Sequence, residues 1–185
     1  MKRGSKMSSK NSNSSTWAVS LTNFLDSGSI VAGASGLTLW QKSDFDVGLL
    51  GALSANAFGS ALGAIIGGRL SDKFGRKAIY TYDMLVYMLG TLTVVFSANF
   101  ITLLLGFLIT GIAVGAGVPA SWTYIGETSG DTNRAHNIGI AQFAWSMGPV
   151  IIFIAGTLLA PLGLNGSRIL FGFLTIVAFI AWNLQ

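Results

Sequence analysis

Six long apolar runs alternate with short polar breaks along the chain, near residues 17–39, 47–68, 78–98, 100–125, 136–160 and 167–184. Each reaches the roughly 20 residues that carry a helix, at about 1.5 Å per residue, across a hydrocarbon core of about 30 Å. The breaks are Gln41 to Asp46, Arg69 to Lys77, Ser97 to Asn99, Glu127 to Arg134 and Pro161 to Ser167, short enough for helical hairpins. The pattern predicts an all-α polytopic membrane protein of six transmembrane helices over 17–185, behind a disordered basic tail at 1–16, MKRGSKMSSKNSNSST. That basic start, with an apolar run and the small residues Ala32 to Ala34, also mimics a secretory signal peptide. Asp26 interrupts the core of such a signal, and the apolar stretch runs on toward Trp40, so a span is the reading taken.

Composition agrees with this pattern and narrows the chemistry. Of 185 residues, 51% are hydrophobic and 10% charged, and the mean hydropathy of +0.63 excludes a large soluble catalytic domain. The absence of cysteine removes disulfides, thiolate metal sites and thiol nucleophiles, and a single histidine leaves little for a metal cluster. No cofactor, metal or enzymatic activity is expected. The net charge of +4 would suit nucleic acid only if the basic residues shared one face. They are instead divided by topology: Lys2, Arg3, Lys6, Lys10, Arg69, Lys73, Arg76, Lys77 and Arg134 on one side, and only Lys42 and Arg168 on the other. Positive loops stay cytoplasmic, which predicts a plasma-membrane protein with both termini inside.

Gly59, Gly63 and Gly67 recur every fourth residue in the second run, as do Gly111 and Gly115, with the Ala113/Gly117 pair, in the fourth. Such stripes let helix backbones approach closely; a gate that slides along the same faces is the second reading. Pro119 and Pro149 are expected to kink the fourth and fifth helices.

The break between the second and third runs reads Gly68-Arg69-Leu70-Ser71-Asp72-Lys73-Phe74-Gly75-Arg76-Lys77. A basic turn would account for the cations but not for Asp72 among them, placed to pair with Arg76 or to sit at a helix N-terminus, nor for Gly75. The segment resembles the signature of the major facilitator superfamily, Gly-x-Leu-x-Asp-Lys/Arg-Phe-Gly-Arg-Lys/Arg. A second segment resembles the sugar-porter branch: Gly111-Ile112-Ala113-Val114-Gly115, then Tyr124-Ile125-Gly126-Glu127, six intervening residues and Arg134. The resemblance covers about 17–185 and implies the N-terminal six-helix half of a twelve-helix carrier that works by alternating access about a midplane cavity. It further implies that Gly68, Asp72, Gly75, Arg76, Lys77, Glu127 and Arg134 form a gating motif, with Asp72, Arg76, Glu127 and Arg134 as cytoplasmic charge pairs.

Asp26 reads as the only acid deep within a span. A charge at mid-helix costs about 2.5 to 3.5 kcal/mol on insertion scales, so it is expected to face a wet interior. Low dielectric disfavours the ionised carboxylate, which makes Asp26 a candidate proton carrier; a carboxyl hydrogen-bonded to Asn23 or a neighbouring helix is the structural alternative. Phe24-Leu25-Asp26-Ser27-Gly28 also resembles the Phe-Gly-Tyr-Asp-Thr-Gly segment of sugar porters, whose acid serves proton symport. Sugar porters usually follow the glycine that opens the fourth span with an arginine that can partner this acid, whereas here Phe107 follows Gly106. Gln142 lies eight residues after Arg134, in the register where sugar porters hydrogen-bond sugar hydroxyls, and an amide both donates and accepts. Trp145 is a candidate ring-stacking residue, Asn23 and Asn56 are further substrate candidates, and His136 reads as an interfacial residue.

The expected partners are the lipid bilayer, a small solute, most readily a sugar, a proton, and a second wall supplied by six further helices or a second copy. Nucleic acid is not expected. The run ending at Gln185 leaves three forms open: a carrier fragment or truncated chain, a dimerising half-transporter, or a remnant that transports nothing. The rival functions are an organic- or aromatic-acid proton symporter and a non-transporting membrane partner or sensor. A carboxylate substrate is disfavoured by the absence of cations inside the spans.

Overall fold

The computed structural model describes residues 9–41, 49–129 and 133–185, with side chains at 16–36 and from 55 onward within those segments. The helices are α1 (Ser9–Gln41), α2 (Leu49–Phe74), α3 (Arg76–Val95), α4 (Phe100–Thr128), α5 (Arg134–Leu159) and α6 (Leu164–Leu184), with a 3-10 turn at Ala160–Leu162. Four stretches among the described residues are long and apolar enough to cross a bilayer: Arg76–Val95, Phe100–Thr128, Arg134–Leu162 and Leu164–Leu184. α1 is more polar because it turns Ser20, Thr22, Asn23, Asp26, Ser27 and Ser29 inward, all buried. Its hydroxyls are satisfied within the helix: Ser20 donates to the Thr16 carbonyl at 2.8 Å and Ser27 to that of Asn23 at 2.9 Å.

The boundaries differ from expectation in two places. Residues 9–16, read as part of a disordered tail, belong to α1; residues 1–8 lie outside the described residues. Arg69 to Phe74, read as a loop, are the last turns of α2, and the break before α3 is Gly75 alone. Gly75 has φ 90°, a backbone region that disfavours any side chain, and its N–H closes α2 on the Ser71 carbonyl at 3.0 Å. At the opposite end Asn99 caps α4: its Oδ1 accepts from the Thr102 N–H at 2.9 Å, and the Thr102 hydroxyl oxygen accepts from the Asn99 N–H at 3.3 Å. Pro119 and Pro149 both lie inside continuous helices.

The packing is an exchange between two triplets. α1 packs against α5 and α6, α4 packs against α2 and α3, and the bundle closes where α3 meets α6 and α1 meets α4. Each triplet thus inserts its first helix between the second and third of the other. An odd number of spans starts the triplets on opposite sides, so they are inverted repeats.

Glycines line the main crossings. A methyl at Gly63 would overlap the Ile112 carbonyl, one at Gly111 that of Asn56, and one at Gly115 that of Ser60, so α2 and α4 touch backbone to backbone. At the symmetry-related crossing, a methyl at Gly148 of α5 would overlap the Phe24 carbonyl of α1. Gly117 does not share the α2-facing stripe and packs on Asp83 of α3. Leu25, Met84, Tyr87, Leu103, Phe107, Phe171 and Leu174 fill the core. Arg168 fastens α6 to the end of α3, Nη2 donating to the Ser97 carbonyl at 3.0 Å.

Replacing Gly115 with valine is expected to destabilise the bundle by about 1–3 kcal/mol or more, since neither backbone can yield without parting α2 from α4. Gly172, where an added methyl would meet no atom within 4 Å, serves as the control. Thermal unfolding in detergent micelles checks both, with Gly172→Ala expected to unfold at or slightly above the wild-type temperature.

Candidate functional site

Charged residues gather where α2, α3 and α4 end together. Arg76 Nε lies 3.3 Å from Glu127 Oε1, joining the first residue of α3 to the last turn of α4. A cation at a helix N-terminus and an anion at a C-terminus each oppose the local dipole, and pairing them offsets both. Arg134 Nε donates to the Gly126 carbonyl at 2.6 Å, one of the last-turn carbonyls of α4 that lack a helical partner. Asn137 adds a second tie, its Nδ2 donating to Ser129 Oγ at 2.9 Å.

Within the set expected to form charge pairs, Arg76 pairs with Glu127 rather than with Asp72, and Arg134 holds a backbone carbonyl. Asp72 and Arg76 nevertheless border one cavity of about 160 Å³, with Gly67, Gly68, Pro119 and Thr123. Lys77 and His136 are exposed.

The interior holds a polar layer between α1, α3 and α4. Asp26, expected to face a wet interior, is instead fully buried, and it is not the only acid within a span: Asp83 of α3 is also buried. None of the four carboxyl oxygens has a hydrogen-bond partner, so the structural alternative, a carboxyl hydrogen-bonded to Asn23 or to a neighbouring helix, is not what the structure shows. Asn23 Oδ1 instead accepts from the Ser121 hydroxyl at 3.4 Å. The Tyr87 hydroxyl donates to the Leu25 carbonyl at 3.2 Å, binding α3 to α1 beside Asp26. The signal for Asp83 was available: seven residues past Arg76 is about 10 Å into the membrane at the helical rise. Phe107, where sugar porters carry arginine, packs edge to face on Phe171 at 5.8 Å and closes on Gly33 of α1.

The four substrate candidates do not converge. Gln142 is exposed and Trp145 half-buried on α5, whereas Asn23 is buried in the polar layer. Asn56 lines a separate cavity of about 330 Å³ with Ser29, Ile30, Gly33, Ser60 and Phe107, and its Nδ2 donates to the Phe107 carbonyl at 3.4 Å.

The family model described as Major Facilitator Superfamily matches residues 16–184. The chain belongs to the major facilitator superfamily. As such it is a multi-pass integral membrane protein, and its architecture is about half of the major-facilitator fold. It superimposes with a TM-score of 0.85 on XylE, the proton:xylose symporter bound to 6-bromo-6-deoxy-D-glucose, at 17% identity over 96% of this chain and 45% of that one. Among curated relatives, it is 49% identical over 177 residues to the minor myo-inositol transporter IolF of Bacillus subtilis (strain 168), covering 94% of this chain and 40% of that protein. It is 29% identical over 109 residues to the niacin transporter NiaP of Acinetobacter baylyi, covering 59% and 25%. The chain therefore spans less than half the length of the relatives it matches.

The Arg76–Glu127 pair is 35% and 55% exposed, so solvent screening limits its worth. A double-mutant cycle with Arg76→Ala and Glu127→Ala is expected to give a coupling of roughly 0.2–1 kcal/mol in thermal or denaturant unfolding.

Proposed function

We propose that this chain forms the N-terminal six-helix wall of a secondary carrier for a sugar or cyclitol, coupled to protons and working by alternating access. The observation that carries this reading is the 49% identity to a myo-inositol transporter over 94% of the chain. The chain aligns with 40% of that relative, so the facing wall is proposed to come from six further helices or a second copy.

Chemistry supports the solute class. Residues 17–41, 49–68, 100–126 and 137–159 contain no lysine or arginine, which leaves no fixed cation on these spans to receive a carboxylate. The niacin-transporter relative favours an organic-acid reading, but over a shorter match and at lower identity. The exposed amide of Gln142 can donate to and accept from adjacent hydroxyls, with Trp145 one turn away to cover a ring face. Asn56 and Asn23 are proposed to contribute from α2 and α1. Asp26 is assigned the proton, and the Arg76–Glu127 and Arg134–Gly126 contacts the closure of the side we read as cytoplasmic.

Binding of radiolabelled myo-inositol to the purified chain, in competition with D-xylose and with nicotinate, tests the substrate class. Displacement by D-xylose but not nicotinate is the expected result, with Gln142→Ala weakening binding about three- to tenfold, the worth of one neutral hydrogen bond. Saturable nicotinate binding without inositol binding would replace the proposal with the organic-acid reading.

The absence of native cysteine makes topology directly readable. A membrane-impermeant thiol reagent should label Leu162→Cys from outside intact cells and Lys73→Cys only in inverted vesicles. The opposite pattern would reverse the proposed orientation.

A further inference from the structure

Asp26 is 0% exposed and Asp83 4%, and among the described residues they are the buried acids of the bundle. Their helices are tied one residue from Asp26 and one turn from Asp83 by the Tyr87 hydroxyl on the Leu25 carbonyl. Asp83 presses so closely on Gly117 of α4 that a methyl there would overlap its Oδ2. One turn along α4, Ser121 holds Asn23 by its carbonyl oxygen, which leaves the buried Asn23 Nδ2 without an acceptor, three residues from Asp26 on α1. Asp83 also borders a cavity of about 170 Å³ whose other walls include Gly63, Ile66, Gly67, Val86 and Ala116. A buried, unpartnered carboxyl thus rests on α4 at the edge of a cavity between α2, α3 and α4, and a second, equally unpartnered carboxyl lies on α1 beside the carbonyl that Tyr87 holds.

Among the described residues neither acid has a lysine, arginine or histidine as an ion-pair or hydrogen-bond partner. The other titratable groups nearby are Tyr80 and Tyr87 on α3, with Tyr124 of α4 stacked on Tyr80 at 5.7 Å. α5 meets α1 here through Gly148 and Ile152, and α6 through the neutral Gln185. Two like charges in low dielectric cannot both stay ionised, and with no cation beside them the pair must draw positive charge from outside the protein. A metal ion would be surrounded by acceptors, whereas the unpaired group beside Asp26 on α1 is a donor, the Asn23 amide.

We propose that Asp26 and Asp83 form one proton-binding site that holds a single proton on one carboxyl or the other, Asp83 serving as the partner of Asp26 where Phe107 supplies no cation. This rests on the proton-coupled reading of Asp26 and adds to it a residue on a different helix.

Infrared difference spectroscopy of the 185-residue chain in lipid nanodiscs, titrated with pH, reads the carbonyl stretch of protonated carboxyls. The part of that signal removed in a D26N/D83N double variant is expected to be lost in two separated steps in the wild type. In D26N and in D83N the remaining acid should give one step lying between them, displaced by about one pH unit or more. D83E keeps the acid and should keep two steps, while G117A retains both acids but forces Asp83 aside and should change their separation. Circular dichroism establishes that each variant is folded. An Asp26 step at the same pH in the wild type, D83N and G117A would overturn the proposal. So would loss of the protonated-carboxyl signal when sodium replaces potassium at constant pH, which would make the pair a metal-ion site. The measurement uses no solute, so a chain that fails to bind inositol still reports on the pair.

Discussion

Direct contact of backbone with backbone at the glycine-lined crossings is the constraint on which the rest of this bundle depends. Lipid tails are as apolar as leucine, so helices in a membrane gain little from hiding aliphatic side chains from their surroundings and associate through close packing instead. Gly63, Gly111 and Gly115 bring α2 onto α4, and Gly148 brings α5 onto α1, with carbonyl oxygens resting where side chains would otherwise stand. Because these two crossings are equivalent under the exchange of triplets, the second and fifth helices are held by the same device on opposite sides of the bundle.

Tight crossings at the periphery leave the interior to residues of a different kind. α1 carries its polar side chains inward, and its hydroxyls cost little there because each can fold back on the preceding turn of its own helix. Carboxyls have no such recourse, since a carboxylate is acceptor-only and the helix offers it no free N–H in mid-span. Asp26 and Asp83 are therefore the carboxyls at which the interior among the described residues is left chemically incomplete, with the Asn23 amide nitrogen unpartnered beside Asp26 on α1. Phe107 accentuates this: it fills the space against Gly33 and Phe171 with ring carbons.

Much of this architecture was legible in the sequence, for physical reasons that can be named. Apolar run lengths located six helices because bilayer thickness sets them, and the glycine spacing marked close-packing faces on α2 and α4, though not that they meet each other, because a four-residue repeat stays on one helix face. Helix ends were less legible. Arg69 to Phe74 looked like a loop by polarity, yet polar residues continue a helix readily once it leaves the hydrocarbon, and only Gly75 interrupts it. At the site, Asp26 was found from its depth, while Asp83 was overlooked because it lies near the basic motif in sequence and its burial depends on its contact with Gly117 of α4. The partners of Arg76 and Arg134 required three dimensions: the motif grouped them with Asp72 and Glu127 without pairing them all, and the helix ends brought Glu127 to Arg76 and a bare carbonyl to Arg134. Gln142, Trp145, Asn23 and Asn56 share polarity or ring character rather than a common pocket, a distinction sequence alone could not draw.

Gly75 has a mechanical consequence. A connection one residue long contains no slack, so α2 and α3 are coupled like two rods on a single joint whose freedom is confined to one pair of backbone torsions. Any tilt of α2 toward or away from α4 is transmitted at that joint as a reorientation of α3 at its first residue, Arg76. The motif's ion pair with Glu127 thus sits at the fulcrum, where a small angular change in the helices produces the least displacement of the charges that hold them.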